Sequence, residues 1–228
     1  MSQSYYDATG VLIFSGAPRI TPVLKALFAV YALQDDEAGP NAAYIAEIAE
    51  ETCLGWSAVA EAIAAQKEAL GITLPEGADI DDARLWLGAL AAKLAPGSQE
   101  VQDTIDELDY CSETDLPTLF DLAMHLNDGH NLQAAKLEGA WHASRPRLGE
   151  FGGYGQFISR EVTQTSSSSR SLSIGEDLQR SLQQRDTVKA AQLIAAECRR
   201  LLDGIADLEL AKQVSQSVLD VLKTGARI

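Results

Sequence analysis

The chain has 228 residues, 46% of them hydrophobic, and a formal net charge of −15. A chain of this length can bury a core of its own and needs no disulfide or metal to hold it together. Its three cysteines are odd in number and lack C-x-x-C spacing, which argues against a disulfide framework and a zinc ribbon and favours a reducing compartment. The N-terminus lacks the features of a signal peptide, and no apolar run approaches the roughly 18 residues of a membrane span. We therefore expect a cytoplasmic protein.

The negative charge is concentrated in the first part of the sequence. Residues 1–130 hold 22 acidic and five basic residues, whereas residues 131–228 hold 11 acidic and 13 basic ones. Between Leu94 and Ala135 there are nine acidic residues and no Lys or Arg. Such a field repels nucleic acid and anionic membranes and attracts basic surfaces. We expect a basic protein partner, itself of the nucleic-acid-binding kind, and no direct contact with nucleic acid or membrane.

The first third of the chain is predicted to be mainly helical. A short apolar segment, Gly10–Phe14, reads as a buried strand. Thr21 followed by Pro22 predicts a helix start, and Gly71 predicts a helix end. Apolar spacing and these signals together predict helices over about 22–34, 42–51, 56–70 and from Asp81 or Asp82 to Leu94.

Two further helices, about 99–108 and 116–126, are predicted to carry most of the acidic run. In the first, Val101, Ile105 and Leu108 recur at helical spacing and leave the acidic side chains on the outer surface. Asp115 precedes Pro117 and suits a helix start. We assign seven acidic residues to a partner-binding surface: Glu100, Asp103, Asp106, Glu107, Asp109, Glu113 and Asp115. The alternative is that this acidic face only makes the protein soluble.

The pattern then changes to alternation with a period of two. Residues 133–143 and 156–163 predict antiparallel strands, with a short middle strand near Phe151. The strand Gly10–Phe14 could join the same sheet. The serine-rich residues 163–171 either extend the last strand or form a linker.

Helices return at the C-terminus. Ser173–Glu176 has the spacing of a capping box, Asp186 is expected to cap a long helix that ends at Gly204, and a last helix covers about Asp207 to Lys223. Apolar stripes predict that the last two helices pair as a hairpin, which could close the core or form a homodimer. The predicted fold class is α+β, predominantly helical with a small antiparallel sheet. Its candidate units are residues 1–95, 96–165 and 172–228, or one domain containing all three.

Residues 44–72 resemble the helix-turn-helix of bacterial regulators. Ala49 stands where a small residue lets two helices cross, and Val59 and Ile63 occupy core positions of the second helix. Cys53 replaces the glycine usual at the turn, and the segment has five glutamates against one lysine, a poor composition for contacting phosphates. The resemblance implies a degenerate regulator that acts through protein contacts, as an alternative function.

No catalytic residue, metal site or cofactor is predicted. His125, His130 and His142 fall near Asp121 and Asp128, but no metal-binding signature joins them, and isolated histidines are the alternative. Arg145 and Arg147 flank a proline before the glycine cluster of residues 152–155, so they could bind an anion, although a hairpin turn with bulges also explains this segment. A small enzyme with an anion site near His142, Arg145 and Arg147 is a further alternative.

Residues 139–162, with the lead-in LFDLAMHLNDGH of residues 119–130, resemble uncharacterised accessory proteins of bacterial plasmids and integrative elements. The resemblance carries no known active residues. It implies a product that acts on host defence or on transfer of the element. Together with the charge, it makes a non-catalytic acidic inhibitor that engages a basic partner the preferred function.

Overall fold

The computed structural model describes residues 4–34, 38–49, 52–76, 78–79, 81–145 and 150–225. Its strands and helices, in chain order, are β1 (Ser4–Phe14), α1 (Pro22–Leu27), β2 (Ala42–Glu47), α2 (Trp56–Ala65), α3 (Lys67–Leu70), α4 (Ala83–Leu94), α5 (Gln99–Glu107), α6 (Leu116–His125), β3 (Leu132–Ala143), β4 (Phe151–Ser159), β5 (Thr163–Ser167), α7 (Ser168–Gln183), α8 (Thr187–Asp203) and α9 (Leu208–Thr224). About 50% of the chain is helical, so the fold is α+β, as predicted. In the described residues, no helix combines the length and the apolar content that crossing a bilayer requires.

The five strands form one antiparallel sheet in the order β2-β1-β3-β4-β5. β1 lies between β2 and β3, so the predicted strand Gly10–Phe14 is part of a longer central strand that joins the same sheet. One face of the sheet, which includes Leu12, Ala135 and Ile158, is buried. Since side chains alternate along a strand, the neighbouring residues point to the other face.

A single hydrophobic core joins this face of the sheet to the helices that precede β3. Leu24 on α1, Ile63 on α2, Leu90 on α4 and Leu119 on α6 are fully buried in it. The predicted caps hold at several helices: Asp82 accepts a hydrogen bond of 2.9 Å from the Arg84 backbone N–H at the start of α4. Gly71 adopts φ 60°, a left-handed conformation, where α3 ends.

The predicted helix over 42–51 is wrong, because residues Ala42–Glu47 form strand β2. Tyr44 and Ile45 pair with Val11 and Gly10 on β1. Alanine and glutamate favour helix in isolation, but the edge of β1 supplies backbone partners and the apolar face needs cover, and these tertiary contacts decide. The helix-turn-helix pattern of residues 44–72 therefore lacks its first helix, and only its second, α2 with α3, exists.

The chain after β3 also differs from the prediction. Phe151 opens β4, which runs to Ser159, and the turn at residues 160–162 leads into β5. The serine-rich segment is divided between β5 and α7, whose N-cap is Ser167, so the expected capping box at Ser173–Glu176 lies inside a helix. Asp186 and Asp207 do cap the next two helices, as predicted for the first of them.

Helix α8 closes the exposed edge of β5. The Thr163 N–H donates to the Gly204 carbonyl at 2.8 Å, and the Gln164 side-chain amide donates to the Leu201 carbonyl at 2.7 Å. An unpaired strand edge exposes backbone N–H and C=O groups to which another chain can hydrogen-bond. The C-terminal helices are thus fixed to the sheet through α7, which contacts β4 and β5, and through the C-terminal end of α8, while α9 contacts α8 and contains no fully buried residue.

Candidate functional site

All seven residues of the predicted partner-binding surface are exposed. We call them the acidic surface: Glu100, Asp103, Asp106, Glu107, Asp109, Glu113 and Asp115. Five lie on α5 or directly after it, and two lie in the loop before α6. Val101 and Ile105 are buried on the opposite side of α5, so its apolar stripe holds the carboxylates toward solvent.

Several of these carboxylates also have local structural roles. Asp106 accepts a hydrogen bond from Arg84 on α4 at 2.5 Å, and Asp115 accepts one from the Thr118 N–H at 2.8 Å, which caps α6. Asp109 accepts the Cys111 N–H at 3.0 Å and shapes the turn after α5. In the part of the chain that the structure describes, the side-chain carboxylates of Glu100, Glu107 and Glu113 make no hydrogen bond or ion pair. These three carboxylates are the ones that folding leaves unused.

A groove of about 530 Å³ opens beside this surface, between the N-termini of α2 and α4 and the turn after α5. We call it the acidic groove. It is lined by Gly55, Trp56, Ser57, Asp81, Asp82, Ala83, Tyr110, Cys111, Ser112 and Glu113. Among the residues that the structure describes, its lining contains three carboxylates, two aromatic rings and no basic side chain.

Hydrogen bonds hold the walls of the acidic groove in place. The Trp56 indole N–H donates to the Asp109 carbonyl at 3.0 Å, and the Tyr110 hydroxyl donates to the Ile105 carbonyl at 2.9 Å. The two rings lie 5.1 Å apart at an angle of 56°. The Thr114 N–H donates to the Leu54 carbonyl at 2.8 Å, which ties the turn to the start of α2. Burial raises the pKa of Tyr110 to about 12, so its hydroxyl is neutral at physiological pH.

A second polar cluster lies at one end of the buried sheet face, where Tyr6, Tyr31, Glu47 and Tyr154 come together. The rings of Tyr6 and Tyr154 stack 5.7 Å apart. Burial raises the pKa of the Tyr6 and Tyr31 hydroxyls well above the ordinary range, and Glu47 adds to both effects. The Tyr6 hydroxyl is buried without a partner at hydrogen-bonding geometry, although the Tyr154 hydroxyl is close enough to raise its pKa further.

Glu47 links this cluster to the acidic surface. Burial raises its pKa to about 7, and the charges of Glu113 and Asp7 raise it as well. Glu113 therefore interacts with Glu47 on one side and lines the acidic groove on the other. Asp7 also accepts the Ala49 N–H at 2.8 Å. The negative region extends from α5 across the groove to the end of β2.

The histidines lie in separate environments. His130 is buried, with its Nε2 2.9 Å from the Ala123 carbonyl, and its Nδ1 accepts the Leu132 N–H at 3.3 Å, so it serves the fold. His125 lies 3.5 Å from Asp121, the helical pair that the sequence suggested. His142 stacks on Tyr5. Within the described residues, no group of three potential ligands could hold a metal ion.

The predicted anion site near the hairpin has one of its two arginines among the described residues. Arg145 is exposed just after β3. Arg147 lies outside the described residues. The glycines of residues 152–155 lie within β4 rather than in a turn, and the Trp141 ring lies against Gly152. Gly152 therefore makes room for an aromatic ring, which is a packing role.

Sequence reasoning found the acidic surface but missed the groove beside it. Asp82 was identified only as a helix cap, and Trp56 and Tyr110 gave no sign that they would meet, because they are 54 positions apart. Glu47 was missed because its segment was assigned to a helix. No protein-family model matches the chain, and no match is found among curated proteins or solved structures.

Proposed function

We propose that this protein is a non-catalytic binding protein whose acidic surface and acidic groove engage a basic partner protein in the cytoplasm. The observation that carries the proposal is the acidic groove itself, whose lining, among the described residues, holds three carboxylates and two aromatic rings and no basic side chain. The basic residue nearby, Arg84, is engaged with Asp106, so a lysine or arginine of a partner can supply the neutralising charge in the groove. The free thiols of Cys53, Cys111 and Cys198 are compatible with a reducing compartment.

The chemistry of the acidic groove suits an arginine or lysine side chain. A guanidinium over the face of Trp or Tyr gains a cation–π attraction, and a nearby carboxylate can accept its N–H groups. Tyr110 supplies partly exposed aromatic surface, the largely buried ring of Trp56 packs against it, and Asp81 and Glu113 supply carboxylates at the rim. Because hydrogen bonds already fix both rings, little conformational entropy is lost when the side chain enters.

The wider charge supports a partner that normally binds nucleic acid. Such proteins carry rows of Lys and Arg that neutralise phosphates. Glu100, Glu107 and Glu113 are exposed and unpaired among the described residues, so they can replace phosphates in those rows without losing internal bonds. Long-range attraction between the two fields would speed association and make it sensitive to salt.

The sequence resemblance to accessory proteins of plasmids and integrative elements suggests which basic partners to examine first. A protein of a mobile element that binds a basic nucleic-acid groove would block a restriction or CRISPR component of the host. This role as an anti-defence inhibitor is part of the proposal. The helix-turn-helix alternative has lost its structural basis, since residues 42–47 form a strand.

The test measures binding of the full chain to a panel of purified restriction and CRISPR nucleic-acid-binding proteins at 50 and 500 mM salt. We expect at least one basic protein to bind, and to bind far more weakly at the higher salt. A variant of the acidic groove and the adjoining acidic surface, called the groove variant, removes three charges without touching a helix cap or an ion pair: Asp81→Asn, Glu107→Gln and Glu113→Gln. It should weaken binding at least tenfold.

A matched control removes three exposed charges elsewhere: Glu138→Gln on β3, Glu176→Gln on α7 and Asp203→Asn on α8. The control should weaken binding much less than the groove variant. Equal losses from the two variants would show that only net charge matters and would overturn the assignment to the groove. Absence of binding to every basic protein at low salt would overturn the proposed function.

A further inference from the structure

The helices after β5 carry most of the exposed apolar surface of the described residues. Of the 15 large hydrophobic side chains that are exposed there, 11 lie on or between α7, α8 and α9. Leu208 is 74% exposed and Leu222 is 68% exposed. Six of the 11 lie on α9, and three of these six, Leu210, Val214 and Val221, recur at helical spacing and share one side of the helix.

Helix α9 shows what kind of surface this is. Ala211, Ser215 and Val218 are half-buried at positions i, i+4 and i+7, so they mark the side of α9 that contacts α8, and each of them remains partly exposed. Beside them, Leu210 and Val214 are 51% and 41% exposed. A helix of this length is marginal in water unless its apolar side is packed. We therefore expect the exposed apolar stripe of α9, which includes Leu210, Val214 and Val221, to pack against another molecule.

The sequence of α9 reads almost the same in both directions about Gln216. Leu210 corresponds to Leu222, Val214 to Val218 and Ser215 to Ser217. The charged positions reverse their sign under the same operation, since Glu209 corresponds to Lys223 and Lys212 to Asp220. A second α9 laid antiparallel on the first would bring apolar residues to the same level as apolar residues, and acids to the same end as lysines.

We propose that the chain forms a homodimer in which α9 packs antiparallel on α9 of a second copy, with the two-fold axis near Gln216. A two-fold interface uses the same patch on both copies, and an apolar pattern that reads the same in both directions along α9 fits such a contact. The apolar stripe from Leu210 to Val221 contains no charged residue on its own side of the helix. Glu209 and Asp220 pair with the lysines three positions later, at 2.5 and 3.6 Å, on the other side.

The distribution of charge favours a second copy over a charged partner. Residues 1–167 hold 25 acidic and nine basic residues, whereas residues 168–228 hold eight and nine. The C-terminal helices are therefore nearly neutral, and they are the part through which two copies can approach without strong repulsion. Because the acidic parts still repel each other at a distance, dimerisation should strengthen with salt, which is the opposite of binding to a basic partner.

The first test is the molar mass of the full chain by light scattering and sedimentation at 50 and 500 mM salt. We expect a dimer that is tighter at the higher salt. Val214→Glu places a charge in the stripe and should give a monomer with an unchanged circular dichroism spectrum. Leu219→Glu adds the same charge on the opposite side of α9, where the Leu219 side chain is 49% exposed, and should leave the dimer intact. A wild-type chain that remains monomeric at concentrations up to about 100 μM would overturn the proposal.

The second test checks the antiparallel register by cysteine cross-linking in a chain without native thiols (Cys53→Ser, Cys111→Ser, Cys198→Ala). Ser217 lies next to the proposed axis, so two Ser217→Cys chains should cross-link to each other. Two Leu210→Cys chains should not cross-link to each other. When the two variants are mixed, a Leu210→Cys chain should cross-link to a Leu222→Cys chain. Equal self-cross-linking of Leu210→Cys and Ser217→Cys would overturn the arrangement. Since Val214→Glu leaves the acidic groove intact, binding to basic proteins can fail or persist independently of dimerisation.

Discussion

The guanidinium of Arg84 lies 2.5 Å from the carboxylate of Asp106, and this contact joins α4 to α5 at the centre of the acidic surface. Their hydrogen bond is the main reason why the pKa of Asp106 is lowered and that of Arg84 raised. In the described residues, no other member of the acidic surface is paired with Lys or Arg. Arg84 is therefore an internal competitor for the charge offered to a partner.

Removing this competitor should strengthen binding. We expect Arg84→Gln to raise the association rate with a basic partner, chiefly at low salt, because the surface gains a negative charge and Asp106 becomes available. Stability should change little, since both side chains are about half exposed. Arg180→Gln is the control, because it breaks a comparable exposed pair with Asp177 on α7. Stopped-flow rates that rise equally for both variants would contradict a local role for Arg84.

Two substitutions of Asp115 should distinguish its hydrogen bond as a helix cap from the effect of its negative charge. Its carboxylate accepts the Thr118 N–H at 2.8 Å, and loss of such a cap costs about 1 kcal/mol. Asp115→Ala should therefore lower the free energy of unfolding by about that amount, whereas Asp115→Asn retains an acceptor and should lower it less. Urea denaturation measures both. If the two variants are equally destabilised, the charge rather than the hydrogen bond stabilises the start of α6.

The elements that the sequence predicts well are those whose signals are local. The starts of α1, α4 and α8 follow from Pro22, Asp82 and Asp186, whose effects act within one turn of helix. β2 has no such signal, because its alanine-rich sequence is compatible with a helix. It becomes a strand only because β1 offers a free edge, which no pattern within residues 42–47 reveals.

The same distinction applies to the candidate site. The exposure of the acidic residues on α5 follows from the positions of Val101 and Ile105 in the same helix. The acidic groove depends on contacts between distant segments, such as the bond from Trp56 to the Asp109 carbonyl. A single sequence contains no record of such a contact. The helix signals of α9, by contrast, were sufficient to find its apolar stripe, and the structure adds that the stripe is uncovered.

Gly152 is the position where the sheet should tolerate a methyl group least. The Trp141 ring from β3 occupies the place that a Cβ of residue 152 would need. We expect Gly152→Ala to destabilise the fold by about 1–3 kcal/mol, since overpacking forces a side chain or strand to move. Gly155→Ala in the same strand is the control, because no atom lies within 4 Å of its added Cβ. Thermal unfolding of both variants decides the point, and equal melting temperatures would contradict it.

Glu47 should make stability depend on pH. Its carboxyl has an ordinary pKa of 4.5, and burial, with Glu113 and Asp7, raises the pKa to about 7 in the folded chain. Between these values the folded state binds more protons than the unfolded state, so stability falls as the pH rises through this window. Glu47→Gln should remove that slope and stabilise the protein at pH 8 by on the order of 1 kcal/mol, less than the full shift implies because half of the carboxyl faces solvent. Urea denaturation at pH 5, 6, 7 and 8 measures the slope, and the exposed Glu68→Gln is the control. A wild-type slope retained in Glu47→Gln would place the responsible proton elsewhere.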